Sequence, residues 1–337
     1  MKITAADRRA LLSILTTFPR QQVVVLGDLV ADEFIYGEIA RVSREAPVLI
    51  LKQREKQVVP GGGANAANNL VDLGAQVIPV GVVGDDDSGE ALLRYFREKE
   101  VPLTRVLRIR GRLTPTKSRV LGGLAHWQRQ QIVRVDREPA PPLAEPVRRR
   151  LTRSVLPLLR AASALLISDY GYGSTSAREL ETLRRRAGRR PLPITVDSRY
   201  DLLTYHRATA ATPNEPEVEA AFGQAIGNNL DRLHRSGRRL LRHMSLQALL
   251  VTRGRDGMAL FEPKRAPCHL PIMGSDQAVD VTGAGETVIA AFTLALACGA
   301  SFLHAAMLAN CAAGLVVMKR GTATVSAREL EEAIRNA

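Results

Sequence analysis

Aromatic side chains make up only 4% of the 337 residues, with a single tryptophan, which leaves little surface for stacking on bases. The three cysteines, Cys268, Cys298 and Cys311, are too few and too scattered for a disulfide framework or a zinc site. Cys298 and Cys311 fall in apolar helical pattern and read as core, and the Cys268-His269 pair has no further ligand pair near it in sequence. Long hydrophobic runs are also missing. The longest, Val288 to Cys298, is too short to span a bilayer, and Met1 to Arg20 holds no apolar segment of signal-peptide length. These absences lead us to expect a soluble, cytoplasmic protein with no membrane partner. Acidic residues are in deficit, 34 Asp+Glu against 47 Lys+Arg, for a net charge of +13. The arginine clusters at Arg148 to Arg150, Arg184 to Arg186 and Arg238 to Arg242 carry no interleaved aromatics, so they read as solvated helix faces and not as a specific nucleic-acid surface. A basic surplus of this kind also suits small acidic substrates.

What is present centres on Val279-Asp280-Val281-Thr282-Gly283-Ala284-Gly285-Glu286, followed by an apolar run of helical composition. Small residues let the backbone turn tightly against a ligand, and a turn opening a helix directs free N–H groups and the positive dipole end outward. An acid beside such an anion site is unfavourable unless it has a task, and accepting a proton from an attacking hydroxyl is the obvious one. The octet thus points to phosphoryl transfer; an acidic first helical turn in any α/β protein is the plainer reading.

Along the chain, uninterrupted apolar runs such as Val23 to Leu26, Ala164 to Ile167 and Ala248 to Val251 read as central parallel strands, alternating with helices. Ligands of open α/β sheets bind beyond the carboxyl ends of strands, so Asp28 and Asp169, each following a strand, stand where a polar ligand would be read, or where a cap or turn needs an acid. Gly61-Gly62-Gly63-Ala64-Asn65 opens a helix on which Asn65 and Asn68 share a face, and their amides suit sugar hydroxyls. Asp85-Asp86-Asp87 invites a metal, though helix capping accounts for it as well. Two all-strand segments, about 33–57 and 104–136, interrupt the α/β pattern and read as one small sheet acting as a lid on a single domain spanning 1–337. In the second, Lys117, Arg119 and Arg134 alternate with apolar residues and could face an acidic ligand. Asn214 and Glu217 share a helix face, which fits a hydrated Mg²⁺ and equally a capping box. Thr252-Arg253-Gly254-Arg255-Asp256-Gly257 is a glycine turn able to approach a nucleotide, and Asn310 lies in a buried helix. There is no internal repeat.

Taken together, these motifs resemble the ribokinase-like (PfkB-type) sugar kinases across essentially the whole chain: Gly27-Asp28 after the first strand, the Gly-Gly-Gly-Ala-Asn turn, Asn214-x-x-Glu217, and the octet. Within that family the heptose 7-phosphate kinase branch is most similar, through Arg41 to Val48, Ile167 to Tyr170, Thr116-Lys117-x-Arg119-Val120 and Gly321-Thr322-x-Thr324-Val325-Ser326. The resemblance implies an α/β fold with a doubly wound, mostly parallel sheet flanked by helices and a small β-sheet lid. It implies ATP and Mg²⁺, and allows K⁺. Gly283, Ala284 and Gly285 would form the anion hole and Glu286 the base. Asn214, Glu217, Thr252, Arg253, Gly254, Gly257 and Asn310 would serve ATP, with Glu217 on Mg²⁺ and Asp280 and Thr282 at a monovalent cation. Asp28, Gly62, Gly63, Asn65, Lys117, Arg119, Arg134 and Asp169 would meet the sugar phosphate. A homodimer through the lid is implied as well, and the second, nucleotidyltransferase domain of bifunctional members is not expected within this chain.

Two departures stand out. The family's base is aspartate and here it is Glu286, whose extra methylene displaces the carboxylate by ~1 Å, a shift that can cost roughly 10²-fold in rate. Tyr172 stands where the branch has a basic residue. The alternatives are a kinase of this fold for another sugar or a nucleoside, and a sugar-phosphate or nucleotide sensor with a detuned base.

Overall fold

The computed structural model describes residues 3–123, 130–187, 192–274 and 278–337, so residues 124–129 of the second expected lid segment lie outside it. In chain order the strands are β1 (Gln22–Gly27), β2 (Leu29–Val42), β3 (Leu49–Gly61), β4 (Gln76–Gly84), β5 (Val106–Ile109), β6 (Thr116–Gly123), β7 (Gln130–Arg137), β8 (Ala164–Asp169), β9 (Ile194–Ser198), β10 (Ala210–Ala211), β11 (Ala248–Thr252), β12 (Met258–Phe261) and β13 (Cys268–Leu270). The helices are α1 (Ala5–Leu15), α2 (Gly62–Asp72), α3 (Asp87–Glu98), α4 (Glu145–Val155), α5 (Ala177–Ala187), α6 (Glu215–Phe222), α7 (Leu230–His243), α8 (Ala284–Ala297), α9 (Phe302–Val316) and α10 (Ala327–Asn336).

Nine strands form the main sheet in the order β13-β12-β11-β10-β9-β8-β1-β4-β5, parallel except at β12 and β13. Its central strands carry unbroken apolar runs, Val23 to Leu26 in β1, Ala164 to Ile167 in β8 and Ala248 to Val251 in β11, because both faces are covered. Alternation sends Val23 and Val25 to one core, against α2, α8 and α9, and Val24 and Leu26 to the other, against α4, α5 and α7. The carboxyl ends of β8, β9, β10 and β11 therefore open on one edge of the domain, where open α/β sheets bind their ligands.

The lid is a second sheet of four strands, β3-β2-β6-β7. It differs from the sequence reading in two ways. Val106 to Ile109 belongs to the main sheet, where β5 pairs in parallel with β4 after the α3 crossover. The first all-strand segment, expected at about 33–57, is one longer hairpin, Leu29 to Gly61, bent by register shifts at Tyr36/Gly37 and Ile39/Arg41. A strand that begins at Leu29 carries Asp32 into the lid. Asp86 caps α3, accepting from Gly89 N at 2.9 Å, and also binds Thr114, so capping is the role the structure gives it. Among the described residues no group of three metal-ligating side chains occurs, and no helix is long and apolar enough to cross a membrane.

Candidate active site

The turn into α8 is built on Gly283, whose φ of +83° lies in the left-handed region. A Cβ there would stand 2.8 Å from Asn65 Nδ2. No side chain caps α8, so its first-turn amides are left for a ligand. Beneath the turn, Thr287 Oγ1 donates to Asn69 Oδ1 at 2.8 Å and Asn69 Nδ2 donates to Asn65 Oδ1 at 3.1 Å. This relay fixes the Asn65 amide with its buried Nδ2 unpartnered beside Gly283. A buried donor with no acceptor is costly, and a bound anion at the helix terminus is the natural remedy.

Two cavities meet at this terminus and share Thr252, Val281 and Gly285. The first, about 880 Å³, is polar: Lys117, Arg119, Arg134 and Arg199 line it together with Asp32, Asp197, Glu217 and Glu286. The lid supplies three of the cations by register. Lys117 lies opposite Asp32, and Arg119 lies opposite both Phe34 and Arg134. Arg119 pairs with Asp32 at 2.9 Å, and the Lys117 ammonium sits 4.8 Å from the centre of the Tyr170 ring. Burial pushes the Lys117 ammonium below its ordinary value, with Asp32 acting in the opposite direction. Glu286, in the first turn of α8, accepts a hydrogen bond from Tyr170 Oη at 2.6 Å. Burial pushes its carboxyl above the usual glutamate value, while the phenol contact opposes that shift. Glu217 Oε2 accepts from Asn214 N at 2.9 Å in a reciprocal capping box, and burial raises its carboxyl as well.

The second cavity, about 780 Å³, is apolar, with Met258, Ile272, Met273, Val288 and Val317 among its walls. Gly254, Gly257 and Asn310 also line it, with Asn310 Nδ2 donating to Pro271 O at 2.7 Å. Gly257 has φ +77°, and a Cβ there would meet Leu270 O at 2.1 Å. A flat ring with one polar edge suits such a slot.

A profile described as pfkB family carbohydrate kinase matches residues 20–329. The chain belongs to that family. It is a carbohydrate kinase. Among curated proteins it is 37% identical over 329 residues to the bifunctional protein HldE of Pelobacter propionicus, covering 97% of this chain and 66% of the relative. To HldE of Geobacter metallireducens it is 41% identical over 308 residues, covering 91% of this chain and 61% of the relative. The chain thus spans less than two thirds of these relatives' length. Among solved structures it resembles Arabidopsis thaliana ribokinase complexed with ribose and ATP, at TM-score 0.72 and 20% identity, covering 94% of this chain and 98% of that one. It also resembles Escherichia coli phosphofructokinase-2 in complex with substrates and products, at TM-score 0.74 and 19% identity with the same coverage. At such identities the likeness establishes the fold, ribokinase-like with a β lid.

Within this pfkB fold the polar cavity gathers Gly62, Lys117, Arg119, Arg134, Asn214, Glu217, Thr252, Thr282, Gly283, Gly285 and Glu286 of the residues singled out by sequence. The apolar cavity gathers Thr252, Gly254, Gly257, Ala284 and Asn310. Six others line neither cavity. Asp28 is 1% exposed, and its carboxylate accepts from the backbone N–H of Tyr170, Tyr172 and Ser174. Asp169 is buried, holding Gly171 N, Ser198 Oγ and Tyr205 Oη, and burial raises its carboxyl. Gly63 N donates to Asp28 O, packing α2 onto β1. Asn65 lies beneath the turn, while Asn68 leaves the shared face to bind Tyr95 and Lys99. The Arg253 guanidinium is spent on Glu215 at 2.8 Å, and Arg255 lines the apolar cavity in its place. Asp280 lies in the groove under the lid, its two oxygens taken by the N–H groups of Thr282 and Gly321.

Sequence reasoning missed Asp32, Tyr170, Asp197 and Arg199 as cavity residues. Starting the strand at Leu29 would have placed Asp32 on the same face as Phe34. Tyr170 follows Asp169 at the end of β8 and Arg199 follows Ser198 at the end of β9, the positions where such sheets present their ligand-binding groups.

Proposed function

We propose that the protein transfers the γ-phosphoryl group of ATP to the anomeric hydroxyl of a heptose 7-phosphate, giving a 1,7-bisphosphate for ADP-heptose and lipopolysaccharide core precursor synthesis. The observation that carries this reading is the position of Glu286 and the uncapped amino end of α8, at the junction of a cation-lined cavity and an apolar one. The likeness to HldE proteins supports the choice of sugar. The apolar slot would take the adenine, and the polar cavity the sugar phosphate, with Lys117, Arg119, Arg134 and Arg199 facing the acceptor's own phosphate. Glu286 would accept the proton of the attacking hydroxyl, and the amides of Gly283 to Gly285 with Asn65 Nδ2 would stabilise the phosphoryl oxygens as charge develops. Positioning and electrostatics carry most of the acceleration in such transfers, so a glutamate base is compatible with it.

The Glu217 carboxylate uses one oxygen on its capping bond and the residue lines the cavity, a fit for an oxygen-seeking cation beside Asn214. Mg²⁺ bound there would neutralise phosphate charge. Asp280 and Thr282 are proposed for K⁺, with the Asp280 carboxylate shaping the loop through its two amide contacts. The reading is tested by ADP release over a panel of sugar phosphates and neutral sugars; turnover of neutral sugars alone would overturn it. Lys117→Ala should raise KM for the phosphorylated acceptor by roughly 10–100-fold, the worth of a charge-assisted hydrogen bond, with KM for ATP little changed in the same assay.

We also propose a homodimer through the lid. Strand β7 is one of the two edge strands of that sheet and is exposed along its whole length, with Ile132 at 40%, Val133 at 46% and Val135 at 52% exposure. An open apolar edge strand invites pairing. Size-exclusion chromatography with light scattering should give twice 36.7 kDa, and a monomer would remove this assignment.

A further inference from the structure

We propose that Tyr170 is the positioning residue for Glu286, holding the longer carboxylate base in its working place; this rests on the reading of Glu286 as the base. The contact is short, Tyr170 Oη to Glu286 Oε1 at 2.6 Å, and crosses from the loop after β8 to the first turn of α8. The direction of the bond is set. Burial and the Glu286 charge raise the Tyr170 phenol well above its ordinary value, so it stays protonated and donates. Glutamate has one more rotatable bond than aspartate, and a fixed donor removes that freedom.

The donor itself is rigidly held. The Asp28 carboxylate gathers the N–H groups of Tyr170, Tyr172 and Ser174 at 2.9, 3.0 and 2.9 Å, clamping the loop from inside. Arg112 clamps it from outside, donating to Tyr172 O at 3.1 Å. The ring lies between Lys117 and the backbone of Gly62, where an added Cβ would stand 3.3 Å from Tyr170 Cδ2 and Cε2. A chain of contacts thus runs from Asp28, which sequence reading placed on the substrate, through the loop and the phenol to the base.

Tyr170→Phe keeps the ring and removes only the donor. It should lower kcat by roughly 10–100-fold, with KM for ATP held, since the lost bond is to a charged group. The phenol favours the charged carboxylate, so its removal should move the acid limb of the kcat profile to higher pH. The other charged groups around Glu286, namely Asp32 on β2, Lys117 and Arg119 on β6, Arg134 on β7, Asp197 and Arg199 at the end of β9 and Glu217 on α6, are the same in both proteins. In a Glu286→Asp background, where the shortened carboxylate falls away from the phenol, adding Tyr170→Phe should cost nothing more. An equal loss in both backgrounds, or an unmoved acid limb, would overturn the proposal. A second measurement separates it from the kinase reading: the carbon-13 titration of the Glu286 carboxyl, assigned by Glu286→Gln, needs no turnover. If no panel sugar is phosphorylated yet the carboxyl titrates higher in Tyr170→Phe, the kinase reading fails and the contact stands. If its titration does not move, the positioning role fails whatever the activity.

Discussion

Glu286→Ala is expected to lower kcat by about 10²–10⁴-fold, the usual worth of a positioned general base, while ATP affinity is essentially retained. The separation follows from geometry. The groups assigned to the transferring phosphate are the backbone amides at the start of α8 and the orphaned Asn65 Nδ2, and none depends on the Glu286 side chain. Removing a carboxylate beside a bound anion also removes repulsion, so binding has no reason to weaken. The pH dependence has a definite sign. Burial raises the Glu286 carboxyl above its ordinary value, and the base works only when deprotonated. Wild-type kcat should therefore fall as pH drops through that raised value, at a higher pH than for an exposed glutamate. The residual rate of the alanine variant should lack this limb. Steady-state ADP release and calorimetric ATP titration measure the two quantities, and an unchanged kcat would remove Glu286 from the chemistry.

The largest loss of stability is expected from Asp28→Ala, about 3–5 kcal/mol by analogy with breaking a buried charged network. The carboxylate is 1% exposed and is the acceptor for three backbone N–H groups of one loop. Its deletion leaves those three donors without an acceptor and leaves a cavity behind β1. Chemical denaturation should show a markedly lower midpoint. Asp28→Asn, which keeps an acceptor oxygen, should lose less. Activity should fall alongside, since the same loop carries Tyr170. An alanine variant as stable as wild type would show that water or a loop shift satisfies the amides, and the clamp would not exist.

Asp28 also illustrates where the sequence could mislead. Its place after an apolar strand suits a ligand contact and an internal clamp equally, and only the path of the 170–174 loop distinguishes them. Asp169 and Arg253 are parallel cases: an acid and a guanidinium at good positions, each taken by a partner 29 to 38 residues away along the chain. Asp32 is the reverse case. The strand pattern in the sequence begins only at about residue 33, and a start at Leu29 follows only from pairing with β3 and β6. The β5 segment reads as part of the lid for a related reason, since a four-residue strand shows no preference for either neighbour.

The elements legible from sequence are those governed by local physics. Doubly buried strands must be apolar throughout, left-handed turns favour glycine, and an uncapped helix start beside an acid marks an anion site. These sufficed for the α/β class, the lid, the motif order and the place of Glu286 in the first turn of α8. Tertiary structure alone decided which polar side chains face the cavity and which face each other, because that depends on loop paths and cross-strand register among residues far apart in sequence. The hydrogen bond from Tyr170 to Glu286, spanning 116 positions, is of that second kind.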